Sequence, residues 1–503
     1  MSETDESLPN HAVALEKAPT GILGLNEILN GGLPKGRPTL ICGGPGCGKT
    51  LMAMEFLAKG ATLYYEPGIF MPFEEFVLEL SQNFDTLDVD LNQRIADNQV
   101  TIDYVHVDRN KIEETGEYDL EGLFIRIGDE IDTIGSKQVV LDTIESLFKG
   151  FANEAILRSE LRRLFRWLKD KGVTAIITAE RGDGQLTRHG IDEYVSDCVI
   201  LLDHRVKNQI ASRYMRVVNY RGSAHFTDEF PFMISDRGIW VLPITSINLD
   251  YPVSDERIST GIPRLDMMLG GKGYFRGSSI LVSGTAGSCK TSLAAHFVQA
   301  ACKRGEKCLF FAFEESPSQI IRNMRSIGID LKPWVDQGLL LFHAVRSSKY
   351  NIDMHLLTME RLIQEFNPIV VIIDPLNNLV DTSNQTNVES MAVRLIDFLK
   401  MNKITTLFNS LTSGGSNEVT TDMGISSLMD TWLLARYLES NGERTRGLYV
   451  LKSRGINHTN QIREFILTDH GIELLDVYLG SMRNPSGSAR IAHEAQVRIE
   501  TKN

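Results

Sequence analysis

Short continuous apolar runs recur along the first half of the chain, set between longer helix-like stretches. They are Thr39-Leu-Ile-Cys42, Val139-Val-Leu141, Thr174-Ala-Ile-Ile-Thr178 and Val199-Ile-Leu-Leu202, and Leu51 to Lys59 follows the first of them as a helix. The second half carries the same series at Ile280 to Ser283, Ile369 to Ile373, Thr405 to Phe408 and Leu433 to Ala435. Runs this short between helices predict strands covered on both faces, and hence a mostly parallel sheet flanked by helices. Sheets of this kind bind ligands at the carboxyl ends of their strands, so the residues just after each run are the ones to inspect.

The two halves are copies. Thr20 to Gly36 reads TGILGLNEILNGGLPKG, and Thr260 to Gly277 reads TGIPRLDMMLGGKGYFRG. Later landmarks recur in the same order. Lys49 and Lys290 stand 241 apart (290 − 49), Glu74 and Glu314 240 apart (314 − 74), Asp142 and Asp374 232 apart (374 − 142), and Arg221 and Arg454 233 apart (454 − 221). A nearly constant offset over this distance means duplicated domains rather than a short-repeat solenoid. The stretch Pro243 to Arg257, with its two prolines, reads as the linker between them. The expected organisation is a flexible N-terminus over 1–18, a first domain over 19–246, a second over 247–480 and a tail over 481–503.

With 503 residues, each copy is long enough to bury a core. The hydrophobic fraction of 42% and charged fraction of 23% are those of an ordinary globular protein. The formal net charge of −13 argues against a protein that coats DNA or RNA, which relies on neutralising phosphates. No apolar run is long enough to span a bilayer, and the polar, acidic start from Met1 to Asn10 does not read as a signal peptide. Cys42, Cys47, Cys198, Cys289, Cys302 and Cys308 form no CxxC pair, which suggests the reducing cytoplasm.

The chemistry begins at Gly43 to Thr50, GGPGCGKT, a phosphate-binding loop placed after a strand and opening a helix. Gly43, Gly46 and Gly48 let backbone N–H groups curl around phosphate oxygens, and the helix N-terminus adds partial positive charge. Lys49 would reach the outer phosphates and Thr50 would ligate Mg²⁺. The second copy reads GTAGSCKT, with Gly284, Gly287, Lys290 and Thr291 in place and Cys289 where the glycine before the lysine belongs. A Cβ there is expected to crowd the phosphate or strain the loop. Cys47 and Cys289 both open helices, a setting that can lower a thiol pKa. Asp142 and Asp374 each end a buried run and are placed to hold Mg²⁺. Glu74-Glu75 and Glu314-Glu315 follow apolar stretches, where a glutamate can orient or deprotonate the group attacking the γ-phosphate. Arg221 and Arg454 follow late strands, Met215 to Val218 and Leu448 to Leu451, where a cation could act on a nucleotide bound by the neighbouring subunit. Together these residues predict two tandem RecA-like P-loop ATPase domains of α/β class, with ATP as substrate and Mg²⁺ as cofactor.

The chain resembles the KaiC family of circadian-clock ATPases and autokinases over about Pro19 to Asp476. The resemblance is carried by the doubled domains and by Glu66 to Glu75 (EPGIFMPFEE), Phe313 to Ser316 (FEES), Glu193 to Asp197 (EYVSD), Asn219 to Ser223 (NYRGS), Lys452 to Gly455 (KSRG) and Arg463 to Phe465 (REF). It implies a double-ring homohexamer with ATP between subunits. The first ring would be a slow ATPase, and the second would phosphorylate its own hydroxyls reversibly. The acceptors fall on Ser426 and Ser427, Thr421 matches a further hydroxyl near them, and Glu314 would be the general base. Asn219, Arg221, Lys452 and Arg454 would be the contacts to the neighbour's nucleotide. Asn219 replaces a lysine of the cyanobacterial members, and Ser427 replaces their threonine. The tail after Leu479 differs from the one that engages KaiA, which argues against KaiA dependence; Arg490 to Glu500 within it reads as a charged amphipathic helix. A KaiB-like partner is implied for the first domain, near the charged loop Asp108 to Tyr118.

Two other readings share the fold. One is a recombinase or hexameric helicase acting on nucleic acid. The acidic balance, the doubled domain and the lack of a basic run with interleaved aromatics speak against it. The other is a scaffold whose Cys289 ring binds nucleotide without phosphotransfer.

Overall fold

The computed structural model describes residues 15–74, 91–105, 120–148, 154–182, 187, 196–207, 209–243, 252–379, 385–412, 425–440 and 443–477. The chain divides into two units, Met1–Thr245 and Ser246–Asn503. Glu75, Thr421, the 108–118 loop and the tail lie outside the described residues.

In the first unit the strands are β1 (Pro38–Gly43), β2 (Gly68–Pro72), β3 (Val100–Ile102), β4 (Gln138–Asp142), β5 (Thr174–Glu180), β6 (Cys198–Lys207), β7 (Ile210–Tyr220), β8 (Phe230–Ser235) and β9 (Gly238–Val241). They form one sheet in the order β3-β2-β4-β5-β1-β6-β7-β8-β9. Neighbours from β3 to β6 pair in parallel and those from β6 to β9 antiparallel. Every residue of β1, β2 and β4 is buried, as continuous apolar runs in a doubly covered sheet require. Two apolar clusters lie on the sheet: Phe56, Phe70 and Ile200 belong to one, and Leu40, Val139 and Leu164 to the other. Helix α1 (Lys49–Tyr64) supplies Phe56, while α2 (Glu121–Ile134) and α3 (Glu154–Asp170) supply Ile127 and Leu164.

The second unit repeats this plan with β10 (Ser279–Gly284), β11 (Cys308–Ala312), β12 (Leu340–Ala344), β13 (Val370–Asp374), β14 (Thr405–Leu411), β15 (Thr431–Ser440), β16 (Glu443–Ser453), β17 (Arg463–Thr468) and β18 (Gly471–Val477). Their order, β12-β11-β13-β14-β10-β15-β16-β17-β18, is the first unit's order. Helix α4 (Lys290–Lys303) follows the phosphate loop, and α5 (Pro317–Arg325) follows the paired glutamates behind a Ser316–Gln319 capping box. Each of these sheets has nine strands and is mixed but mostly parallel, as expected of a RecA-like P-loop domain. Among the described residues no helix is long and apolar enough to cross a membrane.

One tie between the nucleotide helix and the last hairpin is duplicated with different chemistry. Glu55 of α1 is buried and its Oε2 accepts the Ile239 amide of β9 at 2.8 Å. At the same place in α4, His296 Nε2 accepts the Ile472 amide of β18 at 2.8 Å. The glycines that open these strands just before the amides, Gly238 and Gly471, have φ of +98° and +99°, and a Cβ on either would run into the accepting side chain.

Candidate functional site

Each site starts where the first strand of its unit ends. The loop from Gly43 carries Gly46 and Gly48 at φ +70° and +102° and turns into α1 at Lys49. Lys49 Nζ folds over the loop and donates to the carbonyls of Gly43 at 2.8 Å and Gly44 at 3.1 Å. Lys290 Nζ does the same in the second unit, reaching Gly284 O at 2.8 Å and Thr285 O at 2.9 Å. Burial lowers the Lys290 pKa, and the carboxylates of Asp374 and Glu314 oppose that loss of charge.

Cys289 occupies the left-handed region at φ +67°, where the first loop has Gly48. The loop keeps its course, and the expected strain falls on this one residue, since a side chain in that region costs on the order of 1–2 kcal/mol. The expectation of a lowered thiol pKa is corrected: burial pushes both Cys47 and Cys289 up, and this outweighs Lys49 beside the first and Arg446 and Lys290 beside the second.

The strand-end aspartates meet the loop threonines. Asp374 Oδ2 accepts from Thr291 Oγ1 at 2.7 Å. Asp142 accepts from Thr178, and Thr50 also favours its charged form. Burial pushes both carboxyls up; the adjacent hydroxyls, Lys49 and Lys290 oppose it, while Glu74 and Glu314 add to it. A threonine hydroxyl beside a carboxylate is a hard oxygen pair of the kind Mg²⁺ selects, so Thr50 with Asp142 and Thr291 with Asp374 fit that ion.

Glu74 is exposed and accepts from Ser146 Oγ. Glu314 accepts from Asn378 Nδ2 at 3.0 Å, and Glu315 from Asn323 Nδ2 at 3.3 Å. With Thr291, Ala312, Ile320 and Asp374, these two glutamates line a small open cleft. The nucleotide loop, the strand-end aspartate and Glu314 thus converge in the second unit, and Lys49, Thr50, Asp142 and Glu74 are neighbours in the first.

Lys452 and Arg454, assigned by resemblance to the neighbour's nucleotide, also have partners within their own chain. Lys452 Nζ donates to the carbonyls of Ser426 at 3.1 Å and Ser427 at 3.2 Å, and Arg454 Nη2 donates to Ser427 O at 2.6 Å. Ser426 is half-buried and Ser427 exposed, in the short turn Ile425–Ser427. In the first unit Asn219 is half-buried on β7 and Arg221 is exposed in the turn after it.

Sequence reasoning missed the residues that hold these arginines. The carbonyls of Asp197 and Asp430 accept the backbone amides of Arg221 and Arg454, each at 2.8 Å. The Asp197 side chain is paired with Arg37 and Lys169, and that of Asp430 with Lys400 and the Ser279 amide. The pairs Asp197 with Lys169 and Asp430 with Lys400 recur at nearly the repeat's offset, the signal that could have found them. Tyr437 was also missed; its hydroxyl donates to Gly287 O at 2.9 Å and ties β15 to the phosphate loop.

A family model described as "ATPase: KaiC" matches residues 18–246 and again 258–477. The chain is 54% identical over 493 residues to the circadian clock protein KaiC2 of Synechocystis sp., covering 98% of this chain and 86% of that one. It is 35% identical over 510 residues to the circadian clock oscillator protein KaiC of Parathermosynechococcus lividus, covering 99% and 93%. It is 37% identical over 467 residues to the circadian clock protein KaiC3 of Synechocystis sp., covering 92% of each.

Proposed function

This chain belongs to the KaiC family of circadian-clock ATPases, and from that premise we propose that its first unit hydrolyses ATP while its second transfers the γ-phosphoryl group of ATP to Ser426 and Ser427. The observation that carries this reading is the grip of Lys452 and Arg454 on the carbonyls of those two serines. The cations and the acceptor hydroxyls form one body, so a nucleotide approached by the cations is also approached by the hydroxyls. In a homohexameric ring, that nucleotide would be the one on the adjacent subunit's phosphate loop.

Within the second site, the loop amides and Lys290 would orient the phosphates. Thr291 and Asp374 would hold Mg²⁺, which when bound neutralises charge on the β- and γ-phosphate oxygens. Glu314, held by Asn378, would take the proton of the attacking serine hydroxyl. In the first site Lys49, Thr50 and Asp142 would play the matching parts and Glu74 would orient water. The protein would signal through partner proteins according to the phosphate on its second ring.

The test is label incorporation from ATP carrying a radioactive γ-phosphate. Lys49→Ala should abolish first-site hydrolysis and leave labelling of the protein in place, and Lys290→Ala should abolish the labelling. Labelling that survives Lys290→Ala would contradict the assignment of transfer to the second unit.

A further inference from the structure

Strand β14 lies between β10, which leads into the second phosphate loop, and β13, which ends at Asp374. On it, Asn409 stands in register with Val282, just before the loop. In the first unit the same register position, opposite Ile41, is Thr178. The two positions sit alike but are completed differently. The Thr178 hydroxyl donates to Asp142 within the protein. Asn409 is fully buried at 0% exposure and lies against Asp374, where it favours the charged carboxylate. Its amide thus has the Asp374 carboxylate for a partner, while its Oδ1 finds no donor among the described residues.

A buried polar group left unsatisfied costs on the order of 1–3 kcal/mol. A leucine of similar size would carry no such cost, so this position calls for a ligand or its water. The Asp374 Oδ2 atom already accepts from Thr291. The amide of Asn409 is therefore available to steady the carboxylate from its other side, and its carbonyl oxygen to accept from a water of the ion's hydration shell. Partners of metal-ligating carboxylates fix their orientation and tune their basicity.

We propose that Asn409 is a positioning residue of the second site, an outer partner that orients Asp374 toward Mg²⁺ and whose Oδ1 is satisfied only when Mg²⁺ and nucleotide fill the cleft. Thr178 needs no ligand to make its bond, so the first site is pre-set and the second is completed by its occupant. This inference rests on the second unit binding a magnesium nucleotide, and it does not need that unit to phosphorylate the protein.

The experiment uses the full chain carrying Lys49→Ala, which removes the first loop's lysine, and reads Mn²⁺ binding by electron paramagnetic resonance in the presence of ADP. Asn409→Leu should raise the Mn²⁺ concentration at half-saturation about 10–100-fold, the usual loss for an outer-shell partner. Asn409→Thr, which installs the first unit's residue, should recover most of that loss. ADP binding in EDTA should match the parent in both variants, a readout that a general packing defect would move. If Asn409→Leu loses ADP binding in EDTA, Asn409→Ala takes its place with the same expectation. Unshifted Mn²⁺ binding in the Leu or Ala variant, or a Thr variant as weak as they are, overturns the proposal. Absence of protein labelling in the parent counts against phosphotransfer alone, because the Mn²⁺ readout does not require it.

Discussion

Acid should loosen the last hairpin of the second unit and spare that of the first, and the cause is one imidazole. His296 lies within α4 at 7% exposure, and its Nε2 accepts the Ile472 amide of β18. That bond requires the neutral ring with its proton on Nδ1. Burial, helped by the positive charge of Lys303, pushes the pKa from 6.5 down to about 4. The folded state therefore binds fewer protons than the open state between these values, so stability rises with pH across that window. The contribution is fully present above about 6.5 and is lost as pH falls toward 4. At about 1.4 kcal/mol per pH unit the gap is worth about 3 kcal/mol, and most of it is already gone at pH 4.5. The assay is hydrogen exchange of peptides covering β18, with His296→Gln measured alongside so that intrinsic exchange cancels. Glutamine keeps an acceptor for Ile472 and removes the titration. The ratio of opening constants, wild type to variant, should rise roughly 60-fold between pH 7 and pH 4.5. Peptides covering β9 should not show this rise, because burial raises the Glu55 pKa and gives the opposite pH dependence. A flat ratio at β18 would refute the claim that His296 is a buried neutral acceptor.

Three further outcomes follow from the loops and cleft. Cys289→Gly should stabilise the second loop by about 1 kcal/mol by relieving the left-handed cysteine, visible as tighter second-site nucleotide binding in a Lys49→Ala background. Tyr437→Phe, which frees Gly287 O, should weaken nucleotide binding there several-fold, in line with about 1 kcal/mol for the lost hydrogen bond; calorimetry that shows unchanged affinity would remove Tyr437 from the loop's support. Asp430→Asn should lower the labelling rate while ADP affinity stays within about twofold, because it weakens the side-chain ion pairs of Asp430 with Lys400 and Arg454 and leaves the phosphate loop alone.

What was legible in the sequence is what depends on local spacing. The phosphate loops, the strand-end aspartates and the parallel strands are fixed by a few adjacent residues, and duplication showed each of them twice. Boundaries were read short: Val199 to Leu202 proved to be the buried start of Cys198–Lys207, whose outer half is polar and paired only with β7. The positioning residues were not legible because their partners are distant in sequence. Glu55 and His296 do the same work with unlike side chains, so comparing the copies by residue type hides them. Thr178 and Asn409 hide in the same way. The sequence marks Cys289 as a departure from the loop motif, but its left-handed backbone, and the burial that raises its thiol pKa, belong to the folded loop.

The central claim is phosphoryl transfer to the second unit's own serines, and site-resolved mass spectrometry tests it most directly. Purified full-length protein would be incubated with Mg-ATP and sampled over time beside Glu314→Gln. The account predicts phosphate accumulating on Ser426 or Ser427 in the wild type and absent from the variant. No phosphate on either serine, with ATP still hydrolysed in a Lys49-dependent manner, would contradict it and leave the second unit as a nucleotide-binding scaffold.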